Sequence, residues 1–398
     1  MKNPVALSTA AAIAAVAVLS ACSSGAAQAP NSTIPSYAVN QSQTSATGAR
    51  SDAAVEFAYE ANEGSTNVSA YKIESDGALT AVRGSPFAAG SAPSGVAIAP
   101  TGKFAIVSND GSNNTSAFSI DAASGALTQV RGSPFSAGTQ PSGVAVDPMG
   151  KFAYVANVGA GSSSNVSAYR IESNGALTQV KGSPFAAGTG AQYVAADPSG
   201  KFVYVPNAVS NNVSAYKIAS NGALTPVKGS PFAAGTEPFG VAVDPTAKFA
   251  YVSNYGSANV SAYTVNATSG ALTPVKGSPF AAATQPCSVI VDPNGKFIYV
   301  PNAGSSSVSA YAIKSGGALT PVKGSPFAAE AGACYGAVDS SDKFVYVGNS
   351  TASSISGYQI GSNGALKPLK GSPFGAGTTP AVIATCRVTS GKCIPPPL

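Results

Sequence analysis

Two sets of side chains in this 398-residue chain could do chemistry: a few carboxylates set in otherwise uncharged loops, and five cysteines. Glu63, Asp110, Glu237 and Glu330 each stand in a Gly-, Ser- and Ala-rich segment without Lys, Arg or His. A carboxylate in such a place can take a proton from water as the water attacks a carbonyl, and Glu63 and Glu237 are the candidate catalytic bases. The resulting oxyanion would have only backbone N–H and hydroxyl groups to hold it. The chain contains no His, which excludes Ser-His-Asp and Cys-His nucleophile pairs, His metal ligands and His bases. A phosphorylated substrate needs cationic contacts for its dianion, and these segments supply none.

The cysteines divide by position. Cys22 closes the run Leu19-Ser20-Ala21-Cys22, Cys287 and Cys334 hold equivalent places in successive repeats, and Cys386 and Cys393 lie near the C-terminus. In an exported protein Cys386 and Cys393 could pair as a disulfide and staple the last strand. The two downstream pairs lie in different repeats with no close CxxC spacing, so no metal site is expected, and nothing in the sequence asks for a cofactor.

A repeat must position these residues. Gly-Ser-Pro-Phe begins at Gly84, Gly132, Gly182, Gly229, Gly277, Gly324 and Gly371, a period of 47 to 50 residues. Each unit holds four β-type runs, illustrated by Ser142 to Asp147, Phe152 to Asn157, Asn165 to Ile171 and Ala176 to Phe185. That spacing predicts an all-β, seven-bladed β-propeller of four-stranded antiparallel blades, because neighbouring blades must stack to bury their faces. Asp-Pro-x-Gly turns such as Asp147-Pro148-Met149-Gly150 join the first strand to the second, and Gly-containing hairpins such as Asn174-Gly175 join the third to the fourth. The first unit starts at its second strand, near Val55, while Pro380 to Arg387 follows the last Gly-Ser-Pro-Phe as an extra first strand. The C-terminal strand is therefore expected to close the first blade and remove an open edge.

In such a meander the second-to-third loops and the links between blades share one end, the mouth of the central channel. The links should bring Ser142, Gln192, Tyr193, Phe239, Cys287, Cys334 and Tyr335 there as ligand contacts. Glu60 departs from the repeat, standing where the other units have Val107, Val155, Val205, Val252, Val300 and Val347. A buried carboxylate must be paired or protonated, and pairing of Glu56 or Glu60 with Arg387 across the closing blade is the expected solution.

The runs Tyr154-Val155-Ala156-Asn157, Tyr204-Val205-Pro206-Asn207 and Tyr299-Val300-Pro301-Asn302, with Val146-Asp147-Pro148, resemble the YVTN repeat of the seven-bladed lactonase family. The resemblance covers roughly residues 52 to 392. It implies a propeller related to 6-phosphogluconolactonases and cycloisomerases, whose active members carry an Arg-His or Pro-His pair at inner-strand starts and Asn-Glu after a second strand. Asn62-Glu63 matches and Asn109-Asp110 echoes it, whereas Pro286-Cys287-Ser288 has Cys in the place of His.

Residues 1–21, with Lys2 ahead of an Ala/Val/Leu-rich stretch, have the form of a secretory signal, and Leu19-Ser20-Ala21-Cys22 resembles the bacterial lipobox. The expected arrangement is a lipoprotein signal peptide (1–21), a lipidated Cys22 beginning a flexible tether (22–51), and a propeller domain (52–398). With 22 basic and 17 acidic residues and no clustered basic patch, nucleic acid is not expected as a partner. The expected protein is an envelope lipoprotein, held at the membrane by its lipid. It would serve as a binding or scaffold module with degenerate catalytic motifs, for an envelope protein or a carbohydrate. The alternative is a hydrolase opening a sugar lactone.

Overall fold

A computed structural model describes residues 55–159 and 164–396. The signal peptide, Cys22 and the tether expected at 22–51 lie outside the described residues. The described chain is a seven-bladed propeller of antiparallel sheets. Each blade runs outward from an inner strand, as in Pro141–Val146, Phe152–Asn157 and Asn165–Ile171. The second strands are buried on both faces, apart from the half-buried Phe249 and Phe297 that open two of them, because each sheet is covered by a neighbour on either side. This explains why they read as continuous apolar runs.

The outer strand differs from the sequence expectation. The single run predicted over Ala176 to Phe185 is two short strands, Leu177–Gln179 and Phe185–Ala186, which pair with opposite ends of the third strand. The break falls at the cis Ser183-Pro184 peptide, where proline has no N–H to give. Ser183 Oγ fills the gap by accepting the Ala168 N–H at 2.9 Å. The same arrangement recurs at Ser85, Ser133, Ser230, Ser278, Ser325 and Ser372.

Tyrosines join the blades. Tyr154 Oη donates to the Gly222 carbonyl of the next blade at 3.1 Å, and Tyr346 Oη donates to Gly77 O at 2.8 Å across the closing seam. Gly222 takes φ +85° and packs so closely on Phe152 that a Cβ would lie 2.3 Å from its ring. The hairpin glycine is thus required by both conformation and space.

The C-terminal strand Pro380–Thr389 pairs with Glu56–Asn62 and completes the first blade, with Glu56 opposite Arg387 and Glu60 opposite Ile383. A further strand, Lys392–Ile394, turns back on its inner side. It adds a fifth layer that the fourfold strand count did not anticipate. Glu56 meets Arg387 at 3.8 Å, whereas Glu60, fully buried, makes no ion pair and instead accepts from Tyr71 Oη at 3.2 Å. Of the two carboxylates expected at the seam cation, only Glu56 reaches it. Glu60 lies instead on the face turned to the seventh blade, where Tyr71 Oη also reaches Gly375 O at 3.2 Å.

Candidate functional site

The residue after each second strand sits at the mouth, where the sequence turns toward the third strand. In order around the ring these are Glu63, Asp110, Val158, Ala208, Tyr255, Ala303 and Ser350. The chain is held there by the link from the preceding blade: Glu63 N–H donates to Thr379 O at 3.0 Å and Asp110 N–H to Ala92 O at 2.9 Å. The inner strands add Tyr193, Phe239 and Tyr335 beside them. These are bulky where other blades have Gly95, Gly143 or Ser94 and Ser142. The repeat is therefore broken most heavily at one end of the channel.

The broken positions converge. Phe239 lies 5.9 Å from the Tyr255 ring and 6.1 Å from the Tyr335 ring, centroid to centroid. Burial pushes the Tyr335 hydroxyl well above its ordinary range, and nearby Glu63, Tyr193, Asp110 and Tyr255 push it further in the same direction. Burial raises the Glu63 carboxyl to about 7, with the Asp110 charge adding to it, and burial also raises Asp110. Burial lifts Tyr193 to about 12.

A hydroxyl ledger separates these tyrosines from the rest. Every other described tyrosine donates its hydroxyl to a backbone carbonyl, either in a neighbouring blade's hairpin or in its outer strand. Among the described residues, the hydroxyls of Tyr193, Tyr255 and Tyr335 and the carboxyls of Glu63 and Asp110 make no hydrogen bond. Polar groups partly withdrawn from water and left unpaired in this way are costly unless a ligand or solvent meets them. Tyr255 was not singled out from sequence, although its place one residue after Asn254, matching Glu63 after Asn62, is the signal that finds it.

The other expected residues fall into different roles. Glu237 has φ +51° at the link position that Ala92, Gln140, Gln285 and Thr379 occupy in other blades. It raises Tyr255 but is not among the groups acting on Tyr335, so it stands at the rim. Glu330 is exposed and acts on Tyr358 instead. The Ser142 carbonyl accepts from Ser108 Oγ and, at 3.2 Å, from Ser94 Oγ. Gln192 is buried, with its Oε1 unpartnered.

Cys287 and Cys334 are joined by a disulfide between the inner strands of blades six and seven, so they offer no thiol to a ligand. The equivalence noted in the sequence was one of facing neighbours. Ser253 Oγ donates to Cys287 O and Ser288 Oγ to Cys334 O, at 2.6 and 2.8 Å, which continues the tie across three blades. Cys386 and Cys393 form a second disulfide beneath the closing strand.

Cys334 immediately precedes Tyr335, so the first bond anchors the mouth. Its 47-residue separation gives a chain-entropy contribution of up to about 4 kcal/mol. Replacing Cys287 and Cys334 together with Ala is expected to lower the denaturant midpoint by a corresponding amount, measured by urea unfolding under oxidising conditions. An unchanged midpoint would show that the bond constrains neither state.

Comparisons with known proteins agree with this architecture. The family model described as "Lactonase, 7-bladed beta-propeller" matches residues 42–192 and 178–284. The structure is similar to the periplasmic gluconolactonase of Pseudomonas aeruginosa, with a TM-score of 0.72 and 18% identity over 86% of this chain and 100% of that one. A putative 6-phosphogluconolactonase from Bacteroides fragilis gives 0.72 and 18%, covering 85% and 99%. One from Bacteroides uniformis gives 0.71 and 16%, covering 83% and 99%. No curated protein matches the sequence.

Proposed function

The chain belongs to the seven-bladed β-propeller lactonase family, and from that premise we propose that it is a ligand-binding module of the bacterial cell envelope, anchored through lipid on Cys22. Its mouth takes a small neutral polyhydroxylated molecule of the sugar class. The observation that carries this reading is the set of unpartnered groups at one mouth: three tyrosine hydroxyls and two carboxyls. Sugar hydroxyls donate to carboxylates and accept from phenols, and sugar C–H faces pack on aromatic rings. Two carboxylates with no cation beside them disfavour a phosphate.

Calorimetric titration with neutral sugars and their lactones tests it. Tyr335→Phe and Glu63→Gln are each expected to weaken binding by about 1–2 kcal/mol, roughly five- to thirtyfold. Sugar affinity unchanged in both variants would sink the assignment to this mouth. The anchor has its own test, palmitate labelling that disappears in Cys22→Ala.

A second reading, hydrolysis of a neutral sugar lactone, is favoured by the carboxyl of Glu63, raised to about 7. A base titrating near neutral pH is half ionised there and still strong enough to take a proton from attacking water. Turnover would then rise through about pH 7 as Glu63 loses its proton, and Glu63→Ala would lower kcat about 10²- to 10⁴-fold. Binding without turnover above the spontaneous rate would leave the module reading alone. Turnover that survives Glu63→Ala would remove Glu63 as the base.

A further inference from the structure

Below the mouth, the inner strands enclose an axial cavity of about 250 Å³. It is lined by inner-strand residues, among them the half-buried Ala145, Ala195, Ala242, Ala337 and Ala384, while Val96, Val144, Ile290 and Val382 beside them pack between the blades. Only two lining side chains are polar. Thr385 has its hydroxyl committed to Val338 O at 2.7 Å, and Tyr193 stands at the upper end, shared with the mouth. The inner strands pair on their outer side, and Pro380–Thr389 also carries Lys392–Ile394 within, so peptide edges line the wall beside the apolar side chains.

Prolines gather at the lower end. Pro395 and Pro396 line it together with Pro245 and Pro293, and none of these has an N–H. The strand Lys392–Ile394, the Cys386–Cys393 bond and the Cys393 N–H to Gly102 O contact at 3.1 Å hold the two C-terminal prolines in place. At its other end the cavity meets the mouth at Tyr193.

We propose that this channel takes the aliphatic chain of a neutral single-chain amphiphile, entering from the mouth with its polar head left among Tyr193, Tyr335, Glu63 and Asp110. A dry cavity of about 150 Å³ is enough to hold benzene, so this one suits a chain of about six to ten carbons. An anionic head would meet two carboxylates and no Lys, Arg or His. An alcohol or glycoside head can bond to them. The nature of the head rests on the sugar reading of the mouth; the channel itself does not.

The test is titration of the full-length protein with 1-butanol, 1-hexanol, 1-octanol, octanoate and glucose at pH 8. Saturable one-to-one binding should tighten about fourfold per methylene from butanol to octanol. Octanoate should bind at least tenfold more weakly than octanol. Ala195→Leu and Ala242→Leu, each checked for an intact melting transition, should weaken octanol at least tenfold. The chain-length series on the unaltered protein stands even where a variant fails to fold. Affinity independent of chain length, octanoate equal to octanol, or octanol binding unaffected in both folded variants would each overturn the proposal. Octanol binding without glucose binding would sink the sugar reading and leave the channel site standing.

Discussion

Truncation of the chain after Thr379 is expected to leave no folded monomer. The residues lost include the whole inner strand of the first blade, Pro380–Thr389, whose pairing spans Glu56 to Asn62. Ala381, Val382 and Ile383 are buried in it, and Phe57 and Tyr59, now fully covered, lose part of their packing. Burial of a Val or Ile side chain is worth about 1.5–3 kcal/mol, so the loss approaches the 5–15 kcal/mol that separates a typical domain from its unfolded state. The ring also opens at its seam, which exposes a strand edge to other chains. Circular dichroism and size exclusion should show an unfolded or aggregated product. Stopping instead after Thr389 keeps the closing strand and removes the Cys386–Cys393 staple. Its short loop predicts a loss of only about 2 kcal/mol, with cooperative unfolding retained. Cooperative melting of the chain ending at Thr379 near the full-length temperature would refute the role given to the closing strand.

That closure was legible in the sequence because it is a matter of counting: one unit lacked a first strand and the chain ended with a spare one. The repeat also disclosed the blade number and the turns, since Gly and Pro punctuate each copy at fixed offsets. It did not disclose what makes the copies cohere. The Tyr154 phenol looked like one more apolar residue, but its hydroxyl bonds a carbonyl in the next blade, a contact about 68 residues away in the chain. The added strand Lys392–Ile394 has no counterpart in other blades, so no period could announce it. The Cys287–Cys334 bond was equally hidden, because residues equivalent in adjacent repeats read as parallel roles until the ring sets them face to face.

The candidate site was half legible for a related reason. The order of strands and links puts Tyr193, Phe239 and Tyr335 at the mouth, and charge in otherwise uncharged segments marks Glu63 and Asp110 there. Tyr255 follows the same logic but sits in a loop position that varies freely, and aromatic character alone did not mark it. Which tyrosines are free could be seen only once every other phenol had been matched to a carbonyl. Glu237, chosen for its charge, belongs to the left-handed link that each blade uses in some form. Charge in an uncharged segment thus found Glu63 and Asp110, which act on Tyr335, together with Glu237 and Glu330, which do not.

Glu60 is the departure with the largest energetic consequence. Its carboxyl is fully buried, and burial raises it from 4.5 to about 8, partly offset by the Tyr71 hydroxyl and the Gly377 backbone N–H. Its Oε1 is buried and unpartnered among the described residues. The folded protein therefore holds this proton up to about pH 8, while the unfolded chain releases it near 4.5. Between those values the native state binds more protons than the unfolded state, so stability falls as pH rises. The contribution is fully present below about 4.5 and gone above about 8, a difference on the order of 3–5 kcal/mol. Glu60→Val supplies the residue found in the six other blades, each fully buried there, and Tyr71 keeps its bond to Gly375 O at 3.2 Å. The variant is expected to exceed the parent in stability at pH 9 by several kcal/mol, read from urea unfolding. Glu56 and Glu63, both raised to about 7, still titrate in the variant, so its stability should keep a slope between about 4.5 and 7 and become flat above that. Glu60→Gln removes the same titration but leaves a buried amide with two N–H donors and an oxygen to satisfy, so it should share the flat profile at a lower stability than Val. A parent protein whose stability does not change between pH 7 and 9 would mean that the seam already delivers a partner to this carboxylate.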